Sequence, residues 1–196
     1  MLLVLQIQPD PADIVHKSDV GGVRLNLQDE QQVRLAFEEI HRNVETARPD
    51  ARIEGVLVSP MVRGIVEVII GTKIDEQFGP VMVFGIGGIM VEVLQDVSYR
   101  VLPLSAHSAK KMIEEIRSVK LLNGFRGEPP ADKKALQRLL LSVAALAEAY
   151  PQIQEMDFNP VLLHEQGLTV LDARIILHED GQDFTTSEAN RLPTAG

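Results

Sequence analysis

The stretch "EMDFNPVLLHEQGLTVLDARI", Glu155 to Ile175, sets four acidic residues, one Asn and one Arg into a segment otherwise composed like buried β-strand. A turn at Glu165–Gln166, with Gly167 just after it, folds the stretch into a hairpin. In that register Asn159 stands directly opposite Asp172, and Asp157 opposite Arg174. Side chains paired on one face of a hairpin lie about 4.5–5.5 Å apart at Cβ. Period-two alternation predicts Glu155, Asp157, Asn159, Asp172 and Arg174 on one face. It predicts Met156, Phe158, Leu171, Ala173 and Ile175 on the other, as a core stripe. One face is therefore a small oxygen-rich cluster. Mg²⁺ takes a few carboxylate or carbonyl oxygens together with phosphates and waters, and an Asn–Asp pair suits that requirement. The solvated side of an edge hairpin explains the same pattern without a metal, and Asn-Pro also marks strand ends.

Around this hairpin the chain has 196 residues, enough for one ordinary domain or two small lobes. A net charge of −9 argues against a nucleic-acid partner, which requires a basic surface. It does not exclude a nucleotide, which needs only a few local cations and backbone N–H groups. The absence of cysteine removes disulfides and thiolate metal sites and fits a reducing cytoplasm. No membrane association is expected. The most apolar run, "VMVFGIGGIMVEVL", is too short to span a bilayer, is interrupted by Gly and contains Glu92. "MLLVLQIQPD" lacks the basic n-region of a signal peptide.

Residues 2–7 and 22–27 read as strands, and Asp29 as the cap of a helix to about Ala47, with Val33, Phe37, Ile40 and Val44 at helical spacing. A β-rich block follows: "GVLVSPM", "GIVEVIIGTKI", "GPVMVFGIGG", "IMVEVL" and "YRVLPL". Ser105 or Ser108 starts a helix to about Ile116. Asp132, after Pro129–Pro130, caps another to about Ala149. From His178 onward the chain is polar and aperiodic, as in a tail or linker. Mixed strands and helices with β-meanders point to an α/β (α+β) layered fold.

Three loops carry further candidate chemistry. "FGIGGIMVEV" places Gly85, Gly87 and Gly88 where backbone N–H groups could approach phosphate oxygens, although a tight hairpin explains the glycines as well. "VHKSDVGGV" sets His16 and Lys17 before a Gly pair; a histidine there can accept a phosphoryl group, or be an ordinary surface residue. "VLVSPMV" reads as a strand with a break at Ser59–Pro60–Met61, followed by a strand bearing Glu67. Such a break can bind an adenine edge by main-chain hydrogen bonds or serve as a simple bulge.

Taken in order, "IVHKSDVGGVRLNL", "GVLVSPMVRGIVEVIIGTKIDEQFGPVMVFGIGGIMVEVLQDV", "LLNGFRGEPPAD" and the opening hairpin resemble the ATP-grasp domain of the ADP-forming (NDP-forming) acyl-CoA synthetases, relatives of succinyl-CoA synthetase. The resemblance covers about Ile14 to Leu177. It implies an ATP-grasp fold with an N-terminal lobe over about 1–60, a C-terminal lobe over 61–177, and ATP·Mg²⁺ held between antiparallel sheets. It further implies Asn159 and Asp172 as Mg²⁺ ligands and Glu67 as a nucleotide contact. The hinge maps to Val58, Ser59 and Met61, the phosphate-covering loop to Gly85, Gly87, Gly88 and Glu92, and the phosphoryl relay to His16. The reaction implied is acyl-CoA + ADP + phosphate ⇌ carboxylic acid + CoA + ATP through a phosphohistidine. The partner implied is a CoA-binding subunit or domain, within an oligomer.

Two departures stand against the pattern. The family domain normally begins earlier, and its first strand ends in a phosphate-contacting Lys where this chain has Gln6. A synthetase-like regulatory module of a protein lysine acetyltransferase, or a degenerate non-catalytic module, would carry the same residues.

Overall fold

Asp29 stops the second strand and starts the first helix: its carboxylate accepts the Gln32 N–H at 2.8 Å, satisfying an otherwise orphaned donor. The computed structural model describes residues 2–9, 14, 17–87 and 96–178. The chain divides into two compact units, with the boundary between Arg63 and Gly64. The first contains β1 (Leu3–Pro9), β2 (Val23–Leu27), α1 (Glu30–Ala47) and β3 (Ile53–Pro60). Its antiparallel sheet has the order β2-β1-β3. Leu5, Ile7 and Leu27 of the strands pack with Ala36, Ile40 and Val44 of α1 as one core. Arg24 on β2 clamps Glu39 on α1, donating at 2.7 and 3.1 Å. Alternation along β1 then places Gln6, between buried Leu5 and Ile7, on the face away from the helix.

The break predicted at Ser59–Pro60–Met61 falls later. Strand β3 continues through Pro60, which pairs with Leu3, and the Met61 N–H donates to the Leu2 carbonyl at 2.8 Å. Proline is tolerated there because β3 is the edge of its sheet, where a missing donor on the outer side costs nothing.

The second unit holds β4 (Val66–Asp75), β5 (Gly79–Ile86), β6 (Val97–Val101), α2 (Ala106–Glu115), α3 (Val119–Leu122), α4 (Lys133–Ala149), β7 (Ile153–Leu163), β8 (Leu168–Val170) and β9 (Ala173–Leu177). Its antiparallel sheet runs β6-β5-β4-β7-β8, with β9 also pairing β7. Val68, Ile70, Met82, Phe84, Met156 and Val161 share one face and pack against Met112, Leu122, Leu136 and Leu140 of the helices. The opposite face, through Glu67, Gly71, Asp157 and Arg174, is not part of that core. The predicted strand "IMVEVL" lies outside the described residues.

The predicted core stripe of the last hairpin is only half correct. Met156 is buried and Phe158 packs partly on the core, but Leu171 and Ile175 are 44% and 48% exposed, and Ala173 is exposed too. Among the described residues strand β9 pairs only with β7, and the helices pack on the central strands. Its apolar residues keep the alternation of a core strand without reaching the core.

Candidate metal and nucleotide site

The last hairpin has the register read from its sequence. Phe158 pairs with Ala173, Asp157 with Arg174, and Val161 with Val170. Between them the Asn159 N–H donates to the Asp172 carbonyl at 3.2 Å, and the Leu171 N–H to the Pro160 carbonyl at 3.0 Å. Asn159 and Asp172 are therefore brought together. On the other side of β7 the register with β4 shifts between Val68–Val161 and Ile70–Phe158, so Asn159 and Pro160 stand opposite the single residue Ile69. A bulge of this kind re-aims side chains and often borders functional sites. The Asn159–Pro160 peptide at this bulge is cis.

Asn159 is exposed and Asp172 half-buried, and one Asp172 carboxylate oxygen accepts the Ala173 N–H at 3.1 Å. The donor set is thus one amide and one carboxylate oxygen, both hard ligands suited to Mg²⁺. Among the described residues no group of three or more His, Cys, Asp or Glu is arranged to hold a metal. Any ion at this pair must complete its shell with water and phosphate oxygens, which is the habit of Mg²⁺. Beside the pair, Asp157 lies between Gly71 on β4 and Arg174 on β9, and Glu155 faces Lys73. Asp157 and Glu155 thus each have a cation across from them.

Glu67, at the start of β4, is exposed and pairs with Leu162 of β7. Its carbonyl accepts the Gly87 N–H at 2.7 Å, and a Cβ added to Gly87 would lie 3.2 Å from Glu67 Cβ. Glu67 and Gly87 are thereby brought together, but that N–H is already engaged by protein. Gly85 belongs to strand β5, not to a loop. A Cβ there would come within 2.9 Å of the Asp96 carbonyl, so close packing against β6 explains this glycine. His16, Gly88 and Glu92 lie outside the described residues.

Val58, Ser59 and Met61 belong to the first unit. Because Met61 donates to Leu2, alternation along the β1–β3 ladder points the Val58 N–H and C=O away from β1, toward the open edge. Val58 is itself 47% exposed. Its outward main chain offers one donor and one acceptor, the combination that a purine edge requires.

Two carboxylates matter more than their sequence context suggests. Asp132 caps α4 by accepting the Ala135 N–H and also accepts the Gly167 N–H, each at 2.9 Å, while its own N–H donates to the His164 carbonyl at 2.9 Å. It thereby fastens the hairpin turn, where Gly167 has φ +81°, to the helix start. The Gly167 N–H, followed by that of Ala135, holds its carboxyl below the usual range. Only the cap was legible in the sequence. Asp96, 8% exposed, accepts the Arg117 and Ser118 N–H groups, each at 2.7 Å. Burial pushes its pKa up, but hydrogen bonds from Ser118 and Arg117 and the Arg117 charge outweigh it and hold the pKa low. Its partners are more than twenty residues away, and no local signal points to them.

With this geometry in view, a family description, ATP-grasp domain, matches residues 3–177. The chain belongs to the ATP-grasp domain family. Relatives of this ATP-grasp domain include acetate–CoA ligase [ADP-forming] I of Archaeoglobus fulgidus, 51% identical over 86% of this chain and 24% of that protein. Another is acetate–CoA ligase [ADP-forming] II subunit beta of Pyrococcus furiosus, 47% identical over 84% of this chain and 71% of that one. The chain thus spans about a quarter of the first relative's length and most of the second's. Among solved structures, Ca. Korarchaeum cryptofilum dinucleotide-forming acetyl-coenzyme A synthetase 1, in complex with coenzyme A and Ca-AMPCP, superposes with a TM-score of 0.84. It is 47% identical and covers 90% of this chain and 76% of that one. A second structure of that enzyme contains coenzyme A and Mg-AMPPCP, with its phosphohistidine segment pointing towards the nucleotide binding site. Its TM-score is 0.74, at 43% identity over 90% of this chain and 76% of that one. The antiparallel sheets and their helices are those of an ATP-grasp fold. No helix among the described residues is long and apolar enough to cross a membrane.

Proposed function

We propose that this chain is the ATP-grasp component of an ADP-forming acyl-CoA synthetase, binding ADP or ATP with Mg²⁺ and passing a phosphoryl group between a phosphohistidine and ADP. The observation that carries the reading is the Asn159–Asp172 pair, set opposite each other across a hairpin by the backbone register. The likeness to ADP-forming ligases over most of the chain supports it.

In this reading the Asn159 amide oxygen and an Asp172 carboxylate oxygen hold Mg²⁺. When bound, the ion supplies charge neutralisation on the phosphates during transfer. The outward main chain of Val58, flanked by Ser59 and Met61, recognises the base, and Glu67 contacts the nucleotide. Gly88 and Glu92 belong to the loop that covers the phosphates, and His16 serves as a phosphoryl carrier. In the transfer the phosphohistidine has its other ring nitrogen protonated; its phosphorus–nitrogen bond breaks as a phosphorus–oxygen bond forms to the terminal phosphate of ADP, and the nitrogen keeps the electron pair, leaving a neutral imidazole. The protein's contribution is positioning and electrostatics. The phosphohistidine comes from a CoA-binding partner chain or domain, so this chain works within a larger assembly.

The test is a thermal-shift titration with ADP and ATP, with and without Mg²⁺. A ligand that binds only the native state, at one hundred times its Kd, stabilises by about 2.7 kcal/mol. The Asn159→Ala, Asp172→Ala double variant is expected to keep the metal-independent shift and lose the Mg²⁺-dependent part. No nucleotide-dependent shift in the wild type overturns the reading, and normal Mg·ADP binding by the double variant overturns the ligand assignment.

A further inference from the structure

The segment "LLNGFRGEPPAD" carries part of the family resemblance, yet nothing in the proposed reaction uses it. Its turn is unusual. The Glu128 N–H donates to the Phe125 carbonyl at 3.1 Å, and both central residues have positive φ, Arg126 at +53° and Gly127 at +90°. Those values describe a type I′ turn, whose first central position favours Asn, Asp or Gly. An arginine there occupies a left-handed conformation that its side chain opposes. Gly124, just before, is also left-handed at φ +91°, and a Cβ on it would lie 2.8 Å from the Glu128 carbonyl. The backbone is thus shaped to hold Phe125 and Arg126 in this conformation.

What it holds is an exposed, stacked pair of side chains. Phe125 is 49% exposed, Arg126 is exposed, and the guanidinium carbon lies 5.2 Å from the Phe125 ring centroid. Residues 117–138 contain Arg117, Lys120, Arg126, Lys133, Lys134 and Arg138 against only Glu128 and Asp132, a local excess of four positive charges in a chain of net −9. Small molecules bind in concave sites, whereas this feature is a turn with its side chains outward. Exposed aromatic and Arg side chains together are characteristic of the energetic centre of protein–protein interfaces.

We infer that the Phe125–Arg126 turn is a docking tip for the CoA-binding partner chain, inserting Phe125 into an apolar socket rimmed by carboxylates that receive Arg126 and its neighbouring lysines. The inference rests on the proposed reading, in which such a partner exists. The chain's span, 24% of one relative and 71% of a relative named as a beta subunit, is consistent with a partner. Asn or Gly would relax the left-handed conformation at position 126, and either one removes the guanidinium.

The experiment measures association of this chain with the CoA-binding chain of the same organism by calorimetry at two salt concentrations. Mg·ADP binding and Tm are measured on the same samples. Arg126→Asn, which suits the left-handed position, is expected to leave Tm unchanged or raised and Mg·ADP binding intact, and to weaken association at least tenfold with a shallower salt dependence. Phe125→Ala is expected to weaken association comparably with little effect on its salt dependence. Unchanged association in both variants overturns the proposal, as does a wild type that binds Mg·ADP but not the CoA-binding chain. So does self-association in the wild type that both variants abolish, since the occupant is then a second copy. A wild type that binds neither nucleotide nor partner refutes the proposed function itself.

Discussion

Removing the Asp96 carboxylate is expected to destabilise the second unit by about 3 kcal/mol, which follows from two hydrogen bonds to a charged group at roughly 1.5–3 kcal/mol each. The lower end applies because Arg117 is exposed and its freed N–H can turn to water. Asp96→Ala strips both acceptors. Asp96→Asn keeps one oxygen but turns an NH₂ toward the other donor, so about half the loss is expected, on the order of 1.5 kcal/mol. Urea unfolding followed by tyrosine fluorescence suits the measurement. The chain has two tyrosines and no tryptophan, and Tyr99 and Tyr150 both lie beyond the unit boundary. The pH dependence has a defined sign. The folded pKa of Asp96 is depressed, so its contribution is present above the unfolded carboxylate pKa, about 3.9, and is lost as pH falls through the lower folded value. The gap between wild type and Asp96→Ala should therefore hold from neutral pH to about 5 and close below about 4. Equal losses for Ala and Asn, or a gap indifferent to acid, would refute the account.

Three further outcomes follow from the same coordinates. Gly85→Ala should lower stability by about 1–3 kcal/mol, read as a fall in urea midpoint, because its Cβ meets the Asp96 carbonyl at 2.9 Å, and backbone yields poorly. Met156→Ala should cost about 2–5 kcal/mol, whereas Ile175→Thr, on the exposed part of the same predicted stripe, should stay within about 0.5 kcal/mol; comparable losses would restore the stripe as core. Gln6→Lys, on the helix-free face of the first sheet, should tighten ATP binding by about tenfold if a charge-assisted phosphate contact of about 1.4 kcal/mol is restored. Isothermal titration reads this directly, and an unchanged Kd would mean that position 6 does not face the phosphates.

The caps at Asp29, Ser105 and Asp132 and the hairpin register were legible in sequence because each depends on residues a few positions apart. A capping oxygen reaches a donor three residues on. A two-residue turn fixes every pair beyond it, so the Asn159–Asp172 juxtaposition needed only the chain's local geometry. Tertiary structure alone decided the rest. Alternation shows that Leu171 and Ile175 share a face with Met156, but where the helices end determines which of them is buried. Gly85 reads as a residue of a phosphate-approaching loop or tight hairpin until β6 closes against it, and Pro60 as a strand break until β3 proves to be an edge. Asp96 looks like any polar residue before a strand, because its donors arrive from a helix end twenty-one and twenty-two positions later. Local pattern sets what each residue can do; the distant chain that folds against it sets what it does.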